Sequence, residues 1–194
     1  MRPVRCRIMK LILASASPRR KELLASVIPE FEVIAADCAE TADFTAPPED
    51  IVENLAHQKA QSVAYGHSDA YVLGADTIVY FNGKVLGKPI DAKDAARTLR
   101  ALSGRTHAVY TGYCILGGGK TVCGNCRTEV VFRDLSDAFI KEYVATGKPL
   151  DKAGGYGIQD DERLVKEYFG SYTNVVGLPC EEITAQFKKI GLLQ

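Results

Sequence analysis

The chain has 194 residues, 46% hydrophobic and 25% charged, a composition that supports a packed core and argues against intrinsic disorder. Lys+Arg and Asp+Glu both number 24, so the formal net charge is zero, which argues against broad nucleic-acid or membrane binding but leaves room for a local basic pocket. No apolar run reaches the roughly 18 residues of a membrane span, and the length suits one domain of one or two lobes.

The chain starts with the basic stretch MRPVRCRIMK, and the LILA that follows is too short for a signal peptide. The expectation is a cytoplasmic protein with an extension over residues 1–9, Met9 a candidate natural start, and a single domain over 10–194. KLILA (10–14) reads as a short buried strand that stops abruptly at polar residues. Ser17 suits an N-cap and Pro18 the first helical position, so a helix begins there and carries RRKELLASV. FEVIAADC (31–38) reads as a second strand. A helix over 48–66 has Ile51, Leu55 and either Gln58 or Lys59 at helical spacing, with Gly66 as its stop.

Residues 72–81 form the clearest strand, followed by Asn82-Gly83, a strong tight-turn signal. A helix over 91–104 precedes two or three strands in 106–135, joined by the glycine-rich turn 117–119. Ser136 caps a helix that Gly147 stops, and 149–159 is a glycine-rich loop. Strand-like pieces fill 163–179, and a last helix covers 180–193. Strands and helices intermix, so the fold class is α/β with a mixed sheet.

The six cysteines include one CxxC, Cys123 and Cys126. A structural zinc site would want further close ligands. The expectation is two reduced thiols near a strand or turn.

Several polar groups fit a purely structural reading poorly. Asp76 stands inside an apolar strand, where a carboxylate needs a partner or a task, such as holding a metal or activating water. Gly74 before it permits close approach of backbone or ligand. Ser15, Arg19 and Arg20 surround a helix start, where free N–H groups and guanidiniums bind phosphate. Positive charge in a first turn opposes the helix dipole, so solvation alone is an uncomfortable account of both arginines. Glu40, Lys59 and Lys88 are each unremarkable alone. In DKAGGYGIQ (151–159), three glycines stand between Lys152 and Gln159. Together the cations would neutralise phosphates, Glu40 and Asp76 would hold a divalent cation, and the Gln159 amide could read a base edge. That set favours phosphoanhydride chemistry.

Four stretches, LILASASPRRKELL, VLGADTIVYFNGKVLGKP, LSGRTHAVYTG and GKPLDKAGGYGIQ followed by GSYTNVVGLP, resemble the Maf family of nucleoside triphosphate pyrophosphatases. The resemblance spans nearly the whole chain from residue 10. It implies an elongated, mixed and bent β-sheet flanked by helices, with two lobes and a central cleft, similar to the inosine triphosphatase architecture. It implies hydrolysis of a nucleoside triphosphate between the α and β phosphates with Mg2+ or Mn2+, a house-cleaning role, and in some members an effect on cell division. By motif, Asp76 matches the proton acceptor. Ser15, Arg19 and Arg20 match the phosphate-binding loop, and Glu40, Lys59 and Lys88 fall where the family places its remaining acidic and basic cleft residues; the expectation is that Lys59 and Lys88 also bind phosphate and that Glu40 with Asp76 holds the metal. Arg19, Thr77 and Gln159 match positions tied to substrate choice. The form DKAGGYGIQ resembles the branch acting on dTTP and UTP. The following DDERLVKEYFGSY departs from that branch's glycine-rich continuation, which bears on the shape of the base pocket rather than on the reaction.

Three alternatives remain: a 7-methyl-GTP pyrophosphatase of the same family, a non-catalytic regulator of septum formation, and a nucleic-acid-binding protein. Retention of Asp76 opposes the regulator, and zero net charge opposes nucleic-acid binding. A homodimer is compatible with the resemblance.

Overall fold

The computed structural model describes residues 10–193, so the extension expected at 1–9 lies outside the described residues. Seven strands form one mixed sheet. They are β1 (Lys10–Leu13), β2 (Glu32–Val33), β3 (Ala70–Phe81), β4 (Lys84–Leu86), β5 (Thr106–Gly117), β6 (Lys120–Phe132) and β7 (Val165–Phe169). The order across the sheet is β2-β1-β3-β5-β6-β7, with β4 also on β3. The helices are α1 (Pro18–Val27), α2 (Pro48–Ala64), α3 (Ala92–Leu102), α4 (Asp137–Ala145), α5 (Tyr172–Val176) and α6 (Cys180–Ile190). Among the described residues, no helix is long and apolar enough to cross a membrane.

Only β1 makes parallel contacts, with β2 and with β3; every other pairing is antiparallel. One edge of β3 is shared by two short strands. Residues 70–73 pair with β1, and 79–81 pair with β4. Between them that edge of β3 is open, and Asp76 lies in the opening. The carboxyl end of β1 faces the same gap, the place where open α/β sheets present ligand sites.

Apolar side chains gather at both ends of the long strands. Leu13, Leu24, Leu73, Ile115, Leu178 and Phe187 pack together beneath α1 and α6. Val79, Leu99, Leu102, Phe132, Ile140 and Leu164 pack beneath α3 and α4. Truncating one fully buried leucine, such as Leu99→Ala, removes about 2–5 kcal/mol of stability. On the other face, α2 lies unusually close to the sheet. A Cβ on Gly74 would stand 2.6 Å from the Ala60 backbone nitrogen, and one on Gly112 2.6 Å from that of Glu53. Gly74 thus admits backbone, not a ligand.

Most sequence expectations hold: Ser17 and Ser136 accept capping bonds from Arg20 and Phe139 backbone N–H groups. Asn82 (φ 49) and Gly83 (φ 76) make the tight turn. Three expectations need correction. The strand over 31–38 shrinks to Glu32–Val33, because its neighbour β1 ends at Leu13 and offers no further ladder. The stretch 163–179 holds one strand, β7, and then a helix, α5, which Ser171 caps by accepting from Asn174 N–H. Cys123 is not a reduced partner of Cys126. It stands opposite Cys114 across β5 and β6, bridged to it by a disulfide with a Cα–Cα separation of 4.1 Å, while Cys126 is free. Residues three apart on a strand point to opposite faces, so the CxxC cannot close on itself.

Candidate functional site

Ser15, Arg19, Arg20, Glu40, Lys59, Asp76, Thr77, Lys88 and Gln159 line one cleft of about 570 Å³. A more open hollow of about 640 Å³, lined by Arg133, Asp134, Ser136, Phe139 and Arg163 among others, contains none of them. The predicted residues are therefore brought together by the fold.

Three of them form the centre. The glycine contacts of α2 lower Lys59 onto β3, where its ammonium pairs with Asp76 Oδ1. The same ammonium lies 3.2 Å from Glu40 Oε1. Glu40 is presented by the segment after β2, which is tied to α2 next door. The Gln58 amide accepts from Thr41 N–H at 3.0 Å and donates to Thr41 O at 2.7 Å. Gln58 and Lys59, alternatives for one helical face in sequence, divide the work: one fixes the loop, the other reaches the carboxylates.

Arg20 occupies the opposite side of the strand from Asp76, as alternation along β3 requires. Its Nη2 donates to Thr77 Oγ1 at 2.9 Å, its Nε to Gly177 O at 2.8 Å and its Nη1 to Ser15 Oγ at 3.4 Å. Thr77 Oγ1 lies 3.0 Å from Thr111 Oγ1, and Thr111 donates to Asn174 O at 2.9 Å. A hydroxyl has one hydrogen. That of Thr111 is directed at Asn174, so Thr77 must donate to Thr111 and accept from Arg20. The chain has one sense, with its acceptors aligned under the guanidinium. Burial lowers the Arg20 pKa from its ordinary value, opposed by nearby Asp76. Among the described residues no carboxylate lies within salt-bridge distance of Arg20.

Arg19 turns toward the glycine-rich loop. Its Nη1 reaches Asp151 Oδ2 at 2.7 Å. Lys152, buried, reaches the other oxygen of Asp151 at 2.7 Å and Asp160 Oδ2 at 3.3 Å. Burial acts to raise the Asp151 carboxyl, but bonds from Lys152 and Arg19 outweigh it and hold it below the usual value. Lys88 and Gln159 are exposed on the cleft wall. His107 takes no part in the site: it is buried against Phe132 and Tyr156, its Nε2 lies 2.6 Å from the Tyr156 hydroxyl, and burial draws it down to about 4.

Sequence reasoning missed Thr111 and Asn174, and singled out Lys152 without giving it a role. Thr111 offered a faint signal, a hydroxyl in an otherwise buried strand, 0% exposed. Asn174 offered Ser171 three residues before it, the spacing of a capped helix start.

Among the described residues, no group of three or more His, Cys, Asp or Glu could hold a metal unaided. The donors that do meet here, Glu40 and Asp76, are hard carboxylates, and Lys59 touches only one oxygen of each. That fits Mg2+ or Mn2+ bound through one or two carboxylates, with phosphate oxygens and water completing the shell.

A family model described as Maf-like protein matches residues 10–190. The dTTP/UTP pyrophosphatase of Bacillus cytotoxicus is 48% identical over 181 residues, covering 93% of this chain and 95% of that protein. The dTTP/UTP pyrophosphatase of Bacillus cereus is 47% identical over 184 residues, covering 94% and 96%. Among solved structures, a HAM1 protein from Coxiella burnetii aligns with a TM-score of 0.55 at 13% identity, over 93% of this chain and 99% of that one. That last likeness is one of fold. The family match spans every residue of the cleft described above, the two relatives are matched over nearly their full length, and the chain belongs to the Maf family.

Proposed function

We propose that this chain hydrolyses dTTP and UTP between the α and β phosphates, giving the nucleoside monophosphate and pyrophosphate. The observation that carries the reading is the convergence of Lys59, Glu40 and Asp76 with Ser15, Arg19 and Arg20 in one cleft, in a chain 48% identical to a dTTP/UTP pyrophosphatase. The two apolar clusters form the two lobes of an elongated, bent sheet, with the cleft between them, in a single catalytic domain over 10–194.

Ser15, Arg19, Arg20, Lys59 and Lys88 bind and orient the triphosphate. Their fixed positive charges stabilise negative charge as it builds on the bridging and leaving oxygens. Asp76 orients the attacking water and takes its proton, and Gln159, Thr77 and Arg19 select the base. Glu40 and Asp76 would hold Mg2+ or Mn2+ through the oxygens Lys59 leaves unpaired. When bound, the divalent cation supplies Lewis-acid stabilisation of the phosphates. Arg20 on one side of β3, and Asp76 with Lys59 and Glu40 on the other, flank the open edge of the strand, so a triphosphate lying along that edge would meet the guanidinium from one side and the water-orienting carboxylate from the other.

The test is a panel of nucleoside triphosphates with Mg2+ or Mn2+ and identification of products. UTP and dTTP should give UMP, dTMP and pyrophosphate. A clear preference for 7-methyl-GTP, or release of phosphate alone, overturns the reading. Asp76→Asn should lower UTP turnover by about a hundredfold to ten-thousandfold. Near-native turnover by a folded Asp76→Asn protein removes Asp76 from the chemistry.

A further inference from the structure

An ionic chain runs from Arg19 to Asp160, the residue after Gln159, and so spans the two residues tied to substrate choice that lie farthest apart in sequence. Arg19 pairs with one oxygen of Asp151 at 2.7 Å, and Lys152 pairs with the other at 2.7 Å. Lys152 also donates to Lys148 O at 2.7 Å and lies 3.3 Å from Asp160 Oδ2. Asp160 in turn accepts from the Tyr143 hydroxyl of α4 at 2.7 Å, and that hydroxyl accepts from Gly157 N–H at 3.2 Å. Asp160 N–H closes a turn onto Gly157 O at 3.0 Å, with Gln159 inside it. Burial and the Asp160 bond together raise the Tyr143 pKa, so the hydroxyl remains a donor.

Gln159 itself is exposed and makes no side-chain hydrogen bond among the described residues. The region its amide can reach is therefore set by the turn that carries it, and that turn is closed by Asp160. The cation that faces Asp160 is Lys152, 8% exposed in a cleft wall that also contains Arg19 and Gln159. An amide presents a donor and an acceptor that exchange places on a half-turn. Uracil and cytosine differ by the same exchange: a carbonyl and an N–H in one stand where an amino group and a ring nitrogen stand in the other. Selection between them needs the amide delivered to one place along the base edge, which a fixed turn supplies and a loose one does not.

We propose that Lys152 is a specificity-positioning residue, which fixes the Gln159 turn through Asp160 and couples it to Arg19 through Asp151. It touches neither the scissile bond nor the metal-binding carboxylates. Its loss loosens the choice of base while the triphosphate remains held by Arg20 and Lys59. The proposal rests on the dTTP/UTP reading, and its test separates the two.

Lys152→Met keeps the buried stem and removes the ammonium. Asp160→Asn keeps the shape and an acceptor for Tyr143, and removes the charge facing Lys152. For both variants, kcat and KM are measured with UTP and CTP, and affinities for UMP and CMP by calorimetry. The expected result is a fall of at least about tenfold in the uridine-over-cytidine preference, carried by KM and by UMP affinity, with kcat on UTP within about threefold of the unmodified chain. Asp160→Asn decides the matter where Lys152→Met does not fold. An unchanged preference, an equal loss on both nucleotides, or no preference in the unmodified chain overturns the proposal. An unmodified chain that binds UMP over CMP without hydrolysing UTP, and loses that preference in the variants, overturns the hydrolytic reading and upholds the role of Lys152.

Discussion

Arg19 and Arg20 are neighbours in the first turn of one helix, yet the fold treats them in opposite ways. Arg20 is held by neutral acceptors: the Ser15 and Thr77 hydroxyls and the Gly177 carbonyl. These fix its geometry without cancelling its charge. Arg19 is held by a carboxylate, Asp151, whose side chain is 58% exposed. That bond cancels charge and is open to water. A phosphate arriving at Arg20 meets an aligned cation with its full charge. A phosphate arriving at Arg19 must compete with a carboxylate already there. Under the proposed function, one dipeptide thus supplies a fixed phosphate anchor and an adjustable one.

The largest expected effect lies at Arg20. Arg20→Ala should cost about a hundredfold to a thousandfold in kcat/KM for UTP, because a preorganised charge-stabilising group in a partly dry site is lost. Arg20→Lys should recover little of it, since an ammonium cannot reproduce three directed donors. If Arg20→Ala turns over UTP at the native rate, the rigid cation is structural and the comparison fails. Next comes the hydroxyl chain beneath it. Thr111→Val keeps the volume but removes both the acceptor for Thr77 and the donor to Asn174 O. Urea denaturation should show a loss of about 1–3 kcal/mol, the cost of unsatisfied buried polar groups. kcat/KM should fall less than in Arg20→Ala.

The same contrast marks what the sequence could disclose. Ser17, Pro18 and the apolar run after them foretold α1 in full, because caps and helical periodicity act within a few residues. The nine cleft residues were legible by motif, and the fold does converge them. The partners that distinguish Arg19 from Arg20 were not legible. Asp151 is 132 residues from Arg19, and Gly177 is 157 from Arg20. No local pattern encodes such pairings; they follow from how β3, α5 and the loop before β7 pack. The short helix α5 was misread for a related reason. Thr173, Val175 and Val176 are β-branched and favour a strand, but the Ser171 cap and the buried Asn174 side chain, bonded to Val109 O and Thr128 Oγ1, override that propensity.

The smaller effects lie at Arg19, and their signs sharpen the contrast. Arg19→Ala should raise KM for UTP by about fivefold to tenfold with kcat nearly kept, as expected of a charged contact shared with solvent. Asp151→Asn should do the reverse and lower KM by about twofold to threefold, because Arg19 no longer leaves a carboxylate to meet phosphate. The same substitution should cost about 1 kcal/mol or less in stability near neutral pH, the scale of an exposed ion pair. Its pH dependence follows from linkage. The folded Asp151 carboxyl lies below its ordinary value of 3.8. The folded state therefore holds fewer protons than the unfolded one just below that value, and the pair's contribution is complete above it. It is lost as pH falls through the depressed folded value. Denaturation curves of the unmodified chain and Asp151→Asn should differ at pH 7 and merge in strong acid. A gap that persists unchanged into strong acid would mean that Asp151 acts through packing rather than through its charge on Arg19 and Lys152, and the distinction between the two arginines would lose its electrostatic basis.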